Sequence, residues 1–169
     1  MDKESITEFW NDSLVRFNME LLSKCSLTQE TKEFLELFGL PVNCEFLKDL
    51  NISFYNIFEQ ISIKGCNYIA IGDDYGTKIC IRENLNEIIS VDIERDMNIR
   101  IINSSIEHFI NFLQIYFTRR PELSKADDEE AVEIVRSMRD DFDKLDAMAL
   151  SNEENWWAVI LEQTEQGLL

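Results

Sequence analysis

The chain has 169 residues, of which 45% are apolar and 11% aromatic, enough for one folded domain over residues 1–169 whose core needs neither disulfide nor metal. Its 33 acids against 16 lysines and arginines leave a net charge of −17, which disfavours binding to nucleic acid or anionic lipid and favours a basic protein partner. Acid at this density also serves plain solubility.

Helical spacing opens the chain. Ile6, Phe9 and Trp10 fit one short face, and Phe34, Leu35 and Phe38 fit another after a Ser26-Leu27-Thr28-Gln29 capping signal. Gly39-Leu40-Pro41 stops that helix, because Gly suits a left-handed cap and Pro cannot continue it. From about residue 52 to 102 the period changes to two. The pairs Ile69/Ile71 and Ile79/Ile81, the run Ile89/Val91/Ile93 and the pair Ile99/Ile101 predict four strands, and Ile52 with Phe54 suggests an earlier one. Gly72-Asp73-Asp74-Tyr75-Gly76 and Glu83-Asn84-Leu85-Asn86 are turn sequences short enough for hairpins, so the sheet is expected to be an antiparallel meander.

Ser104 with Glu107 reads as a capping box opening a helix whose stripe is Ile106, Phe109, Ile110, Leu113 and Tyr116, ended by Arg119-Arg120-Pro121. A second helix is expected from about Ala126, carried by Ala131, Val135, Met138, Phe142 and Leu145. Ser151-Asn152-Glu153-Glu154 then reads as a box before a last helix with Trp156, Trp157, Ile160, Leu161 and Thr164 on its face. Helices, a meander, then helices predict an α+β fold with a central antiparallel sheet flanked by N-terminal and C-terminal helices. The densest acid falls in the C-terminal helices.

Cys25, Cys44, Cys66 and Cys80 form no Cys-x-x-Cys pair and read as buried free thiols in a reducing compartment. Met1-Asp2-Lys3-Glu4-Ser5 carries acids where a secretory signal would be basic and then apolar, and no segment has the apolar length of a membrane span. A cytoplasmic protein is expected.

Few constellations point to chemistry. Asp73 and Asp74 at a hairpin tip could hold Mg²⁺ for nucleotidyl transfer, but that chemistry needs further carboxylates and a basic path for nucleic acid. The plainer alternative has Asp73 bonding turn amides while Gly76 takes a positive φ. His108 is the one histidine; a pairing with Cys80 competes with a structural or surface imidazole. The five glycines form no phosphate-binding loop, so no cofactor and no metal are expected. Asp127-Asp128-Glu129-Glu130 and Asp140-Asp141 read either as solvated helix faces complementing the dipole or as mimics of phosphate spacing aimed at a basic cleft. Trp156 and Trp157 lie about 100° apart on a helix. Either both pack in the core or one is left as an exposed anchor.

Four blocks together resemble one family. Phe34-Leu35-Glu36-Leu37-Phe38-Gly39-Leu40-Pro41, Ile71-Gly72-Asp73-Asp74-Tyr75-Gly76-Thr77-Lys78-Ile79-Cys80-Ile81, Ile102-Asn103-Ser104-Ser105-Ile106-Glu107-His108-Phe109 and Trp156-Trp157-Ala158-Val159-Ile160-Leu161-Glu162 are similar, in order and spacing, to the SUKH superfamily of bacterial immunity proteins, nearest its fourth subfamily. The resemblance runs from about residue 28 to the C-terminus. It implies a non-enzymatic domain that neutralises a cognate toxin, expected to be a nuclease or nucleic-acid deaminase with a basic cleft. One departure is the lack of glycine in the turn at Asn84–Asn86, where family members often carry one. The residues assigned to the partner surface are Asp73, Asp74, Asp127, Asp128, Glu129 and Glu130. Two other readings compete: an intracellular scaffold or regulatory domain without a toxin partner, and a metal-dependent enzyme at Asp73/Asp74.

Overall fold

The computed structural model describes residues 3–63, 65–93 and 98–169. Its first helix, α1 (Lys3–Trp10), buries Ile6 and Trp10, four residues apart on one face, while half-buried Phe9 packs edge-on against Trp10 at 4.9 Å. A two-stranded ribbon follows, in which β1 (Leu14–Val15) pairs antiparallel with β2 (Leu40–Pro41). Between them lie α2 (Met19–Leu22) and α3 (Gln29–Leu37). The cap of α3 is Thr28 rather than Ser26: its side chain accepts the Thr31 N–H, and the hydroxyls of Thr28 and Thr31 both reach the amide of Asn86. The helix ends as expected at Gly39, whose φ is +80°. A Cβ there would lie 2.0 Å from the Val15 carbonyl oxygen, so the ribbon excludes any side chain as firmly as the dihedral does.

The meander has five strands, β3 (Ile52–Ile63), β4 (Cys66–Asp74), β5 (Thr77–Arg82), β6 (Ile88–Asp92) and β7 (Asn98–Asn103), each antiparallel to the next. The strand suggested by Ile52 and Phe54 is thus real and 12 residues long. In the β5–β6 turn, Asn84 takes φ +60°, a conformation asparagine tolerates, and so stands in for the missing glycine. Ile93 falls beyond β6 and is exposed, so of the expected run only Ile89 and Val91 are buried.

Two irregularities decide which side chains face the helices. On β4, Ala70 pairs with Cys80 but Gly72 pairs with Ile79, so Ile71 is an extra residue and the alternation of faces reverses after it. Without this bulge Asp73 would share the helix-facing side with Ile69, and Asp74 would point away. With it, Gly72 faces the core, where an added Cβ would come within 3.2 Å of the Phe54 ring, and Asp74 follows on that side. On β7, Ile102 is the extra residue between the Ile89–Ile101 and Ile88–Asn103 pairs, which turns Asn103 inward. Ile99 and Ile101, before the bulge, pair with Val91 and Ile89 on the opposite face, which carries its own cluster of Ile63, Tyr68, Ala70, Cys80, Ile89 and Val91.

Three helices complete the main core: α4 (Ile106–Leu123), α5 (Asp128–Asp146) and α6 (Trp156–Glu165). Ser105, not Ser104, caps α4, because Ser104 is held elsewhere: its N–H donates to Asp146 Oδ2 at 2.7 Å and its hydroxyl meets His108 Nδ1 at 2.9 Å. The helix continues through Pro121, against the expected stop. A proline one turn from the end deprives only the Phe117 carbonyl of its amide partner, and the Ser124 N–H closes the helix on Arg120. The last helix starts at Trp156, with Asn155 as its flanking residue. Ser151 is not its cap; the Ser151 hydroxyl donates to the Met148 carbonyl, while Asn152 Oδ1 accepts the Glu154 N–H in a separate turn.

Trp157 sits at the centre of these helices, wholly buried, with Phe142 at 5.0 Å and Phe112 at 5.6 Å between ring centroids. Its Nε1 donates to Asn103 Oδ1, and Asn103 Nδ2 donates to the buried carboxylate of Asp146. This chain ties α6, β7 and the end of α5 together. All four cysteines are free; Cys25 and Cys80 are buried, whereas Cys44 is half-buried and Cys66, paired with Ile63 where β3 connects to β4, is exposed and corrects the expectation of burial.

Candidate functional site

The six assigned acids fall in two places. At the β4–β5 tip, Asp74 and Thr77 pair across a two-residue turn of Tyr75 (φ +49°) and Gly76 (φ +91°). Positive φ at both positions is the type I′ geometry that suits the twist of a hairpin. Asp73 Oδ1 accepts the Gly76 N–H at 2.8 Å, so its carboxylate braces the turn. It stands cross-strand from Lys78, on the side away from the helices.

Asp74 points the other way, and its Oδ2 accepts the Trp156 Nε1–H at 2.6 Å. Burial pushes the Asp74 carboxyl above the usual carboxylate range; the Trp156 hydrogen bond and the Arg100 guanidinium oppose that push and Asp73 adds to it. Two neighbouring acids on opposite faces, one holding a turn and one holding an indole, are poorly arranged to share a metal. Among the described residues, no three His, Cys, Asp or Glu side chains come together in a way that could hold one.

The tip also presents a residue that the spacing did not single out. Tyr75 is 88% exposed and occupies a left-handed position usually given to Asn or Gly, at a cost of about 1–2 kcal/mol. Its only legible signal in the chain is an aromatic where turn chemistry calls for a small residue.

The second place is the corner between α4 and α5. Asp127 is the N-cap of α5, its Oδ1 accepting the N–H groups of Glu129 and Glu130, while Glu130 Oε2 accepts the Asp127 N–H at 3.3 Å. Asp127 and Glu130 therefore serve the helix end, and Asp128 and Glu129 project from it. An open groove at this corner has Ala126, Val132 and Ile134 on its floor, with Glu122 and Glu133 joining Asp128, Glu129 and Glu130 around it and Lys125 as its one cation. Glu122 and Glu133 were not singled out from the sequence, since only the helix hairpin brings the end of α4 beside the start of α5.

The remaining candidates resolve as structural groups. Both tryptophans are buried, so neither is an exposed anchor. His108 Nδ1 lies 2.9 Å from the Ser104 hydroxyl and 3.7 Å from Asp146 Oδ2 at the start of α4. Cys80 belongs to the cluster on the far side of the sheet, and burial pushes its thiol up to about 12, against a smaller opposing pull from Lys78. It is no thiolate partner for His108 at neutral pH. Among the described residues, no helix is long and apolar enough to cross a membrane.

Compared with known proteins, the chain matches the family model described as SUKH-4 immunity protein over residues 2–163. Neither a curated protein nor a solved structure matches it.

Proposed function

The chain belongs to the SUKH-4 immunity protein family, and from that premise we propose that it binds and neutralises a cognate toxin domain, a basic nuclease or nucleic-acid deaminase, by covering its cleft with acidic surface. The family match over nearly the whole chain is the observation that carries this reading. The charge of −17 supports the basic character of the partner, because complementary fields raise association rates by roughly 10 to 10³-fold.

Within this reading the contact divides its labour. Asp128 and Glu129, with Glu130 and the neighbouring Glu122 and Glu133, steer the partner toward the α4–α5 corner, whose apolar floor supplies area to bury. Asp73 and Asp74 contribute negative potential beside Tyr75, which offers a large side chain of low conformational entropy for an anchor. The chain acts by occupancy, without turning over a substrate and without contacting nucleic acid or membrane itself, in the cytoplasm where such a toxin would strike.

Stopped-flow association with the toxin domain encoded beside this chain tests the assignment. Asp128→Asn with Glu129→Gln should slow association several-fold and flatten its dependence on salt, while Tyr75→Ala should mainly speed dissociation. Unchanged kinetics in both variants would remove the two places from the interface.

A further inference from the structure

The two edges of the meander are built differently. On β3 the ladder with β4 is broken between Phe54 and Glu59, where Tyr55, Asn56, Ile57 and Phe58 oppose Ile71 alone. An interruption this wide bends an edge out of line and hinders a further strand from pairing along it. Phe58 also packs on Phe17 at 4.4 Å between ring centroids, so the chain that follows β1 lies against this strand. Beyond the interruption β3 presents the exposed carboxylate of Glu59.

Along Asn98–Ile101, β7 carries none of these devices. The pairs from Asn98 with Asp92 to Ile101 with Ile89 keep one register, and the bulge comes only after them, at Ile102. Among the described residues, no backbone or side-chain group outside β6 hydrogen-bonds the main chain of this stretch. Its alternate N–H and C=O groups, those pointing away from β6, therefore line the sheet edge unpaired. The stretch holds no proline or lysine, and its single charge, Arg100, lies under α6 within the field of Asp74. Ile99 is 36% exposed and Ile93, just past the end of β6, is 42% exposed, so apolar surface adjoins the open edge. Past Ile101 the edge closes, because Asp146 holds Asn103 and the 3-10 turn Ala147–Leu150 packs against the strand.

We propose that Asn98–Ile101 receives an extended segment of the partner protein, which joins the five-stranded sheet as one more strand. Main-chain hydrogen bonds supply the affinity, and every second side chain of the incoming segment is apolar to cover Ile99 and Ile101. Charge decides between occupants: at −17 a second copy of this chain is repelled, whereas a strand flanked by lysine or arginine is drawn in. The proposal rests on the reading that the partner is a basic protein. It goes beyond that reading by assigning the decisive contact to main-chain pairing at one sheet edge rather than to the acidic surface.

The probe is an acetylated, amidated peptide of alternating valine and threonine with two lysines at each end, added to the whole chain and followed by amide hydrogen exchange in NMR. In the chain alone, alternate amides of Asn98–Ile101 should exchange quickly. With the peptide at ten times its dissociation constant, mass action should slow those amides by about tenfold. Glutamates in place of the lysines should weaken binding by about tenfold or more, and backbone N-methylation of the peptide should abolish it. Ile99→Lys, at an exposed position, puts a like charge on the edge and should weaken the lysine peptide several-fold, whereas Ile99→Val should retain it. No slowing, slowing of Glu59–Ile63 on the other edge instead, or equal binding of the glutamate or N-methylated peptide would each overturn the proposal. Slowing that grows with chain concentration in the absence of peptide, the sign of a second copy, would overturn it as well. None of these outcomes involves a toxin, so neutralisation stands or falls separately.

Discussion

Removing the Asp74 carboxylate probes the hydrogen bond that joins the hairpin tip to α6. Trp156 is 4% exposed and its Nε1–H has Asp74 Oδ2 as acceptor at 2.6 Å, so water cannot readily take over the role. Asp74→Ala should therefore cost about 1–3 kcal/mol, the penalty for leaving a buried donor unpaired. Asp74→Asn keeps an amide oxygen for the indole and removes a partly desolvated charge. Because the folded carboxyl is held above its ordinary value of 3.8, the folded chain binds that proton more tightly than the unfolded one. The wild type thus gains most from this group below the ordinary carboxylate range and loses that gain as pH rises through the raised folded value. Asp74→Asn does not titrate, so its stability relative to wild type should improve across that window, and at pH 7 it should at least match the wild type. Urea denaturation followed by tryptophan fluorescence at several pH values measures all of this. An Asp74→Ala variant as stable as wild type, or an Asp74→Asn variant equally damaged at pH 7, would refute the hydrogen bond or the burial that the reasoning starts from.

Other substitutions separate the remaining contributions. Asp146→Ala strips acceptors from Asn103 Nδ2 and the Ser104 N–H, and a loss of about 2–4 kcal/mol is expected in the same denaturation assay. Gly76→Ala, with φ +91° but no atom within 4 Å of the new Cβ, should cost only about 1 kcal/mol, whereas Gly39→Ala, facing the Val15 carbonyl at 2.0 Å, should prevent folding or cost several times more; thermal melts of the pair decide this. In timed alkylation at pH 8 read by mass spectrometry, exposed Cys66 should react first, and Cys80, its thiol pushed up to about 12, should stay unmodified until the chain unfolds.

Much of the fold was legible in the residues. Period-two isoleucines marked the strands, the Ile106 to Tyr116 and Val135 to Phe142 stripes marked two of the helices, and the order of helix and strand blocks gave an α+β arrangement. Helix ends were read less well. Ser26, Ser104 and Ser151 each had the spacing of a cap, but Thr28, Ser105 and Asn155 flank the helices, because Asn86 and Asp146 claim the neighbouring polar groups through contacts distant in sequence and the Met148 carbonyl takes the Ser151 hydroxyl and the Asn155 amide locally. The family resemblance was legible through four blocks in register, and the family model spans them.

The candidate site was harder to read for a physical reason. Alternation assigns faces only while the register is unbroken, and the extra residues at Ile71 and Ile102 reverse it. Nothing local in Ile71-Gly72-Asp73-Asp74 announces that Asp74 rather than Asp73 turns toward α6. The same bulge gathers Asp74 with Thr77, Ser90 and Arg100, residues that look like ordinary solvent-facing positions when each strand is read alone. Asp127 and Glu130, which read as part of an acidic face, prove to be committed to capping α5, a pattern that the Asp-x-x-Glu spacing does contain.

The most direct measurement mixes the purified chain with the proposed cognate toxin domain and follows that domain's activity at rising salt. Stoichiometric inhibition that weakens as salt screens the acidic surface is the expected result. Full toxin activity in the presence of excess chain, or inhibition with no tight complex formed, would contradict neutralisation by an acidic, occluding surface.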